Sequence, residues 1–224
     1  MTISVLVTGA TGMVGEGVLL ECLADPRVAR VLVINRKPLG RTHPKLTEIV
    51  HADFHDLSTI EPRLAGIDAC FFCLGVSSIG MTEHDYRQVT YDLTVDFARP
   101  LARLNPEMTF CYVTGAGTDS TEHGQVMWAR IKGATENELL RLFRRAVMFR
   151  PAMMRATAGQ RNLKGWYRAL AWIYPIGHAL APGRFCTLQE VGRAMINAAE
   201  GGAPKKVLEV QDIVALAAGR TRGS

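Results

Sequence analysis

Three glycines at three-residue spacing, Gly9, Gly12 and Gly15, stand between an apolar, β-branched run from Ile3 to Val7 and an apolar stretch that starts near Met13. A strand that stops at such a turn and feeds a helix leaves unpaired backbone N–H groups and the positive end of a helix dipole aimed at one spot. That combination binds anions. In a chain that goes on to alternate strands and helices, the anion it suits is the pyrophosphate of a dinucleotide. The spacing G-x-x-G-x-x-G is a variant of the dinucleotide fingerprint G-x-G-x-x-G. Gly9 permits the tight turn, Gly12 lets backbone approach phosphate, and Gly15 lets the helix pack closely on the strand.

A second group of chemical residues ends the next apolar run. Val31 to Ile34 is followed by Asn35-Arg36-Lys37, and no carboxylate occurs between Val31 and Thr47. An acid at this point accepts hydrogen bonds from a ribose 2′-OH, whereas an arginine suits a 2′-phosphate. Arg36 and Lys37 therefore favour NADP(H) over NAD(H). Asp53, just past a third run, is placed to bond an adenine amino group. Equally, Asp53 or Asp56 is placed to cap a helix starting near Leu57. Gly75, at the carboxyl end of the run Ile67 to Leu74, leaves room for a ribose.

The elements that must position these residues alternate along the chain. Strands are expected at Ile3–Thr8, Val31–Ile34, Leu46–His51, Ile67–Leu74, Met108–Thr114, Val147–Arg150 and Lys206–Val210. Helices are expected from Met13 to Leu23, Thr82 to Leu104 and Thr121 to Arg145, and from Thr187 to Glu200, the last with a capping box of Thr187 and Glu190. Short, continuously apolar strands separated by amphipathic helices specify an α/β, Rossmann-type doubly wound parallel sheet. One domain is expected over residues 1–210, with a lid-like segment at 152–186 and a flexible tail at 211–224. The aromatic stretch from Trp166 to Leu180 is too short and too broken by Pro175 and Gly177 to span a bilayer. It leaves a substrate lid, a homodimer surface and a membrane-surface contact open.

Composition narrows the function classes. The chain has 224 residues, 48% hydrophobic and 21% charged, with a net charge of +5. Its basic residues are scattered without interleaved aromatics, so nucleic acid is not an expected partner. The cysteines, odd in number, do not suggest a disulfide framework. Cys70 and Cys73 form a C-x-x-C inside a buried strand, where packing is the expected role, and no pair has zinc-site spacing, so no metal is expected. The start does not read as a signal peptide, and a cytoplasmic protein is expected.

The stretches VTGATGMVG, ADFHDL, CFFCLGVSS, CYVTGAG, ARIKGATENELL and FRPAMM, with the Arg36 strand ending, resemble the short-chain dehydrogenase/reductase superfamily, specifically its small atypical NAD(P)-binding, epimerase/dehydratase-like members. The resemblance implies that Gly9, Thr11, Gly12, Met13, Val14 and Gly15 line the pyrophosphate, with Arg36 and Lys37 at the adenosine phosphate. It places Asp53 and Phe54 at adenine, Leu74 and Gly75 at the ribose, and Thr114 and Pro151 on the nicotinamide side. Lys132 matches the lysine of the superfamily's Y-x-x-x-K, which holds the nicotinamide ribose and lowers the pKa of the catalytic tyrosine. For the serine partner the loop after the strand offers Thr114 and Thr118, with Ser120 beyond.

The chain departs from that pattern four residues before Lys132, where Trp128 replaces the tyrosine. An indole N–H donates a hydrogen bond but does not deliver or accept a proton near neutral pH. Tyr91 and Tyr112 are candidate replacement phenols, with core packing the ordinary role for Tyr112. Two readings follow: an NADP(H)-dependent oxidoreductase or epimerase-like enzyme on a small carbonyl or hydroxyl substrate with altered acid–base chemistry, and a non-catalytic NADP(H)-binding sensor or interaction module.

Overall fold

The computed structural model describes residues 2–162 and 182–219. Its centre is a parallel sheet in the strand order β3-β2-β1-β4-β5-β6-β9. The strands are β1 (Ile3–Thr8), β2 (Val28–Asn35), β3 (Leu46–Val50), β4 (Ala69–Phe72), β5 (Thr109–Val113), β6 (Arg145–Arg150) and β9 (Val207–Glu209). Helices α1 (Met13–Ala24), α2 (Glu83–Arg87), α3 (Leu93–Leu104), α4 (Met127–Leu142), α5 (Leu188–Gly201) and α6 (Val210–Ala217) cover its faces. Two short strands outside it, β7 (Met153–Arg155) and β8 (Phe185–Thr187), pair with each other. The expected doubly wound α/β fold is thus the observed one.

Period-two alternation along the strands divides the core. Val5, Val7, Val31, Val33, Phe71, Cys111 and Phe149 face α1, α5 and α6. Leu6, Leu32, Ile34, Cys70, Phe72, Phe110 and Tyr112 face the opposite layer, where Phe97 and Leu101 of α3 and Leu139 of α4 meet them. Cys70 and Cys73 point to different faces, and burial pushes both thiols up, to about 12 for Cys73. These thiols pack; they are not poised for thiolate chemistry.

Three local expectations are corrected. No α-helix starts near Leu57. The crossover from β3 to β4 holds a single 3-10 turn, Glu61–Arg63, and Phe54, Leu57, Ile60, Leu64 and Ile67 bury themselves on the sheet in its place. Asp53 and Asp56 accept the N–H groups of His55 and Ser58, both at 2.8 Å, closing local turns rather than capping a helix. The helix expected from Thr121 begins only at Met127, because Asp119 gathers the N–H groups of Thr121 and Gly124 into a loop first. Residues 211–217 are helical, not a flexible tail: Ile213 and Leu216 are buried against α5, and Glu209 and Asp212 form a capping box. The long helix expected from Thr82 runs from α2 into α3 through one π-helical stretch, Gln88–Asp92. The segment from Trp166 to Leu180, for which the sequence leaves a substrate lid, a homodimer surface and a membrane-surface contact open, lies outside the described residues.

Glycine sets the closest approach of α4 to the rest of the fold. A Cβ on Gly133 would lie 1.7 Å from the carbonyl oxygen of Asp119. Gly133→Ala gains about 1 kcal/mol of helix propensity but forces apart backbone that cannot yield, at a cost of about 1–3 kcal/mol or more. The clash wins, so the variant unfolds at lower urea concentration with an unchanged m value; an equal or higher midpoint would contradict this packing.

Candidate functional site

In a doubly wound sheet, ligands bind at the carboxyl ends of the strands where the crossovers change face. β1 lies between β2 and β4 here, so that crevice opens at the end of β1. Gly9 occupies it with φ +69°, a conformation that favours glycine. A Cβ on Gly9 would lie 2.8 Å from the backbone of Cys73 at the end of β4, and one on Gly15 would lie 2.2 Å from the carbonyl oxygen of Gly9. Gly12 donates its N–H to that same oxygen at 2.8 Å, and Glu16 donates to Gly12 at 2.9 Å. Met13, Val14 and Gly15 form the first turn of α1, where N–H groups have no acceptor one turn back in the helix. Thr11 and Gly12 are exposed above them. The cradle fits a pyrophosphate in both shape and polarity.

One acid in this turn was missed in the sequence reading. Glu16 is buried, yet it accepts the backbone N–H groups of Arg161 at 2.9 Å and Asn162 at 2.8 Å, with the Arg41 guanidinium 3.5 Å away. Gln160 donates to the carbonyl of Met13 at 2.6 Å. The chain after β7 is therefore fastened along the flank of α1, and Arg41 and Arg161 stand beside it. A carboxylate in the first turn of an anion-binding helix was the available signal, since such an acid needs a partner of its own.

At the end of β2, Asn35 is buried and bonds Glu48 of β3 at 3.2 Å, and the same oxygen accepts the N–H of Leu39 at 2.7 Å. Glu48 thus holds the loop, while Arg36 and Lys37 stand exposed. Asp53 is exposed beyond β3, but Phe54 is buried and stacked on Phe97 with ring centroids 5.4 Å apart, so its ring serves the core. Leu74 packs against that core, and Gly75 is exposed with open space where a side chain would be.

The other half of the site lies at the ends of β5 and β6. Lys132 of α4 donates from Nζ to the carbonyl oxygen of Thr114 at 2.8 Å. The Thr114 hydroxyl donates to Glu136 Oε1 at 2.6 Å. Glu136 is fully buried and is held by Arg150, through Nε at 3.0 Å and through Nη2 to the other carboxylate oxygen. Arg150 also reaches Ser120 and, at 3.4 Å, Glu209. Pro151, next in the chain, is buried and its carbonyl accepts the N–H of Ala116 at 2.9 Å. This network fixes the strand ends around Lys132 but occupies the Thr114 hydroxyl. Sequence reading named Thr114 and Lys132 and missed Glu136 and Arg150, whose pairing needs the fold.

Trp128 stands one turn before Lys132, half-buried, with its ring edge against Gly117. The two candidate phenols, Tyr112 and Tyr91, both have other surroundings. Tyr112 is buried in the core beside Thr94 and Thr135, and burial pushes its hydroxyl well above the ordinary range. Tyr91 is half-buried on the π-helical stretch with the Arg87 guanidinium 4.1 Å from its ring centroid. His84 and His123 are exposed. Among the described residues no group of three or more His, Cys, Asp or Glu side chains is placed to hold a metal. A cavity of about 400 Å³ lies at the opposite, amino edge of the sheet, between Ile67, Asp68, Asn105 and Arg145, far from the glycine turn.

Burial pushes the Lys132 ammonium down to about 8 from an ordinary 10.5, against the opposing pull of Glu136. The folded chain releases this proton near pH 8 while the unfolded chain holds it to about 10.5, so between those values the unfolded state binds more protons. The Lys132 contribution to stability therefore rises with pH across that window. Urea denaturation of Lys132→Met should show a shallower rise over the same range than wild type; parallel profiles would contradict the burial of the ammonium.

Comparison with known proteins bears on the family. The sequence profile of the NAD dependent epimerase/dehydratase family matches residues 5–122, the stretch that carries the glycine turn and the ends of β2, β4 and β5. The chain is 30% identical to Protein FMP52, mitochondrial, of Chaetomium globosum, over 96% of this chain and 97% of that one. It is 25% identical to Protein HTATIP2 of Rattus norvegicus, over 95% and 88% of the two chains. Among solved structures, the UDP-N-acetylglucosamine 4-epimerase of Methanobrevibacter ruminantium M1, in complex with UDP-N-acetylmuramic acid, shares the fold with a TM-score of 0.65 at 16% identity, over 92% of this chain and 75% of that one. The expectation of a cytoplasmic protein does not stand, because the FMP52 relative is named a mitochondrial protein. Among the described residues no helix is long and apolar enough to cross a membrane. By the span of the profile match and the near full-length likeness to FMP52, this chain belongs to the NAD dependent epimerase/dehydratase family.

Proposed function

We propose that the protein is an NADP(H)-dependent oxidoreductase or epimerase-like enzyme acting on a small carbonyl or hydroxyl compound. The observation that carries the reading is a glycine turn at Gly9–Gly15 shaped for a pyrophosphate, on the same carboxyl edge of the sheet as half-buried Lys132 of α4, whose ammonium donates to the Thr114 carbonyl just past β5. The bound cofactor supplies a hydride donor or acceptor. The first turn of α1 holds the pyrophosphate through the N–H groups of Met13, Val14 and Gly15, with Thr11 and Gly12 beside it. Arg36 and Lys37 meet the adenosine phosphate, Asp53 and the Phe54 backbone flank adenine, and Leu74 and Gly75 leave space for a ribose. Lys132, held by the Thr114 carbonyl, would bond the nicotinamide ribose, with Thr114 and Pro151 on the nicotinamide side.

The exposed guanidinium of Arg36 has no ion pair or side-chain hydrogen bond among the described residues, while Glu48, the carboxylate beside it, is committed to Asn35 and Leu39. Charge at this edge therefore favours a 2′-phosphate over a bare 2′-OH. Fluorescence titration should show NADPH bound more tightly than NADH, with Arg36→Ala weakening NADPH about tenfold, or about 1.4 kcal/mol, and leaving NADH unchanged. Tighter binding of NADH by wild type would contradict the assignment.

Trp128 favours a second reading, a non-catalytic NADP(H)-binding sensor or interaction module, because the usual proton donor is missing. General acid catalysis contributes about 10²–10⁴-fold, so Trp128→Tyr should raise carbonyl-dependent NADPH oxidation by about two orders of magnitude if Lys132 is still catalytically placed. Efficient reduction by wild type with no gain in the variant would show that Trp128 is not a lost acid.

A further inference from the structure

Exposed large apolar side chains are not scattered over this protein. Among the described residues they are Val50, Val76, Ile79, Val126 and Met153, and Ile79 is 90% exposed. All belong to the carboxyl edge of the sheet: Val50 ends β3, Val76 and Ile79 follow β4, Val126 precedes α4 and Met153 follows β6. Leaving Val50 aside on the adenosine side, the other residues frame the strand and helix ends from which Trp128 and Lys132 rise. A concentration of apolar surface at a site, in a chain that buries its large apolar residues elsewhere, marks a surface that something apolar covers.

Charge at the same rim points the same way. The loop from Gly75 to Thr82 has no charged residue. Arg130, one turn from Val126, donates from Nη2 to both carboxylate oxygens of Glu83 at 2.8 and 2.9 Å and from Nη1 to the Gly124 carbonyl at 2.7 Å. Its two terminal nitrogens thus already have a carboxylate and a carbonyl as partners. Lys132 reaches into the site itself rather than out along the rim.

We infer that the substrate is a hydrocarbon-bearing carbonyl compound or its alcohol, with its apolar body on Val76, Ile79, Val126 and Met153 and its oxygen toward Lys132, and that it is not a nucleoside diphosphate sugar. The inference rests on the proposed oxidoreductase reading. In the reductive direction the carbonyl carbon gains a hydride from NADPH and the oxygen a proton from solvent, which leaves the alcohol and NADP⁺.

Binding is measured by calorimetry on the full chain loaded with NADP⁺, using straight-chain methyl ketones from butanone to decanone and, separately, UDP-glucose. Affinity should rise about two- to fourfold per added methylene, with UDP-glucose weaker than decanone. Ile79→Lys and Met153→Lys should each weaken decanone about tenfold and leave NADP⁺ affinity as in wild type. Affinity that does not change with chain length, tighter binding of UDP-glucose, or variants that bind decanone like wild type would overturn the inference. So would variants that alter only the sedimenting mass or the retention on phosphatidylcholine vesicles, because the rim would then serve a second copy or a lipid surface. Failure of NADP⁺ itself to bind would instead sink the cofactor reading, so the two failures are distinguishable.

Discussion

The carbonyl oxygen of Gly9 is the point on which the nucleotide half of the molecule depends. It accepts the N–H of Gly12, and the Cα of Gly15 presses on it so closely that no side chain fits there. That contact fixes the angle at which α1 leaves β1 and turns the open N–H groups of its first turn toward the crevice between β1 and β4. The same packing carries α1 onto α5, where Gly17 meets Leu188 and Gly192 meets Glu21 at separations only glycine allows. Residues nearly the length of the chain apart are thereby held around one phosphate-sized cradle.

The nicotinamide half has a different anchor. Glu136, enclosed between α4, β5 and β6, accepts from Thr114 and from Nε and Nη2 along one edge of the Arg150 guanidinium. Taking such an ion pair out of water gains little net stability, but removing one partner alone costs about 3–5 kcal/mol. Its value here is positional. It fixes the strand ends so that the Thr114 carbonyl, rather than a carboxylate, receives the Lys132 ammonium. The ammonium then has one neutral hydrogen-bond acceptor, and burial loosens its proton against the pull of the Glu136 charge.

Much of this was legible in the residues because it is local. The β1–turn–α1 unit follows from an apolar run and three spaced glycines, and the start of α5 follows from Thr187 and Glu190, whose capping box is the observed one. The failures are equally physical. Asp53 and Asp56 look like helix caps, but the apolar residues after them fit the sheet as an irregular crossover. Val210, Ile213 and Leu216 share one helical face, but in so short a segment that face becomes evident only once α5 is there to cover it. Glu136 with Arg150, and Glu16 with Arg161, are pairings between distant segments and carry no spacing signal at all.

The two halves also separate what the molecule binds from what it transforms. In the proposed function, docking of the dinucleotide rests on the backbone geometry of the glycine turn, whereas proton transfer rests on a side chain near Lys132, where Trp128 offers no phenol. The most direct test of the account is the docking itself, followed by amide resonances as NADPH is added to isotope-labelled protein. The largest shift changes should fall at Gly9, Met13, Val14 and Gly15. If those amides stay in place while residues around Asp68 and Asn105 at the amino-edge cavity move, the cofactor lies elsewhere and the account is contradicted.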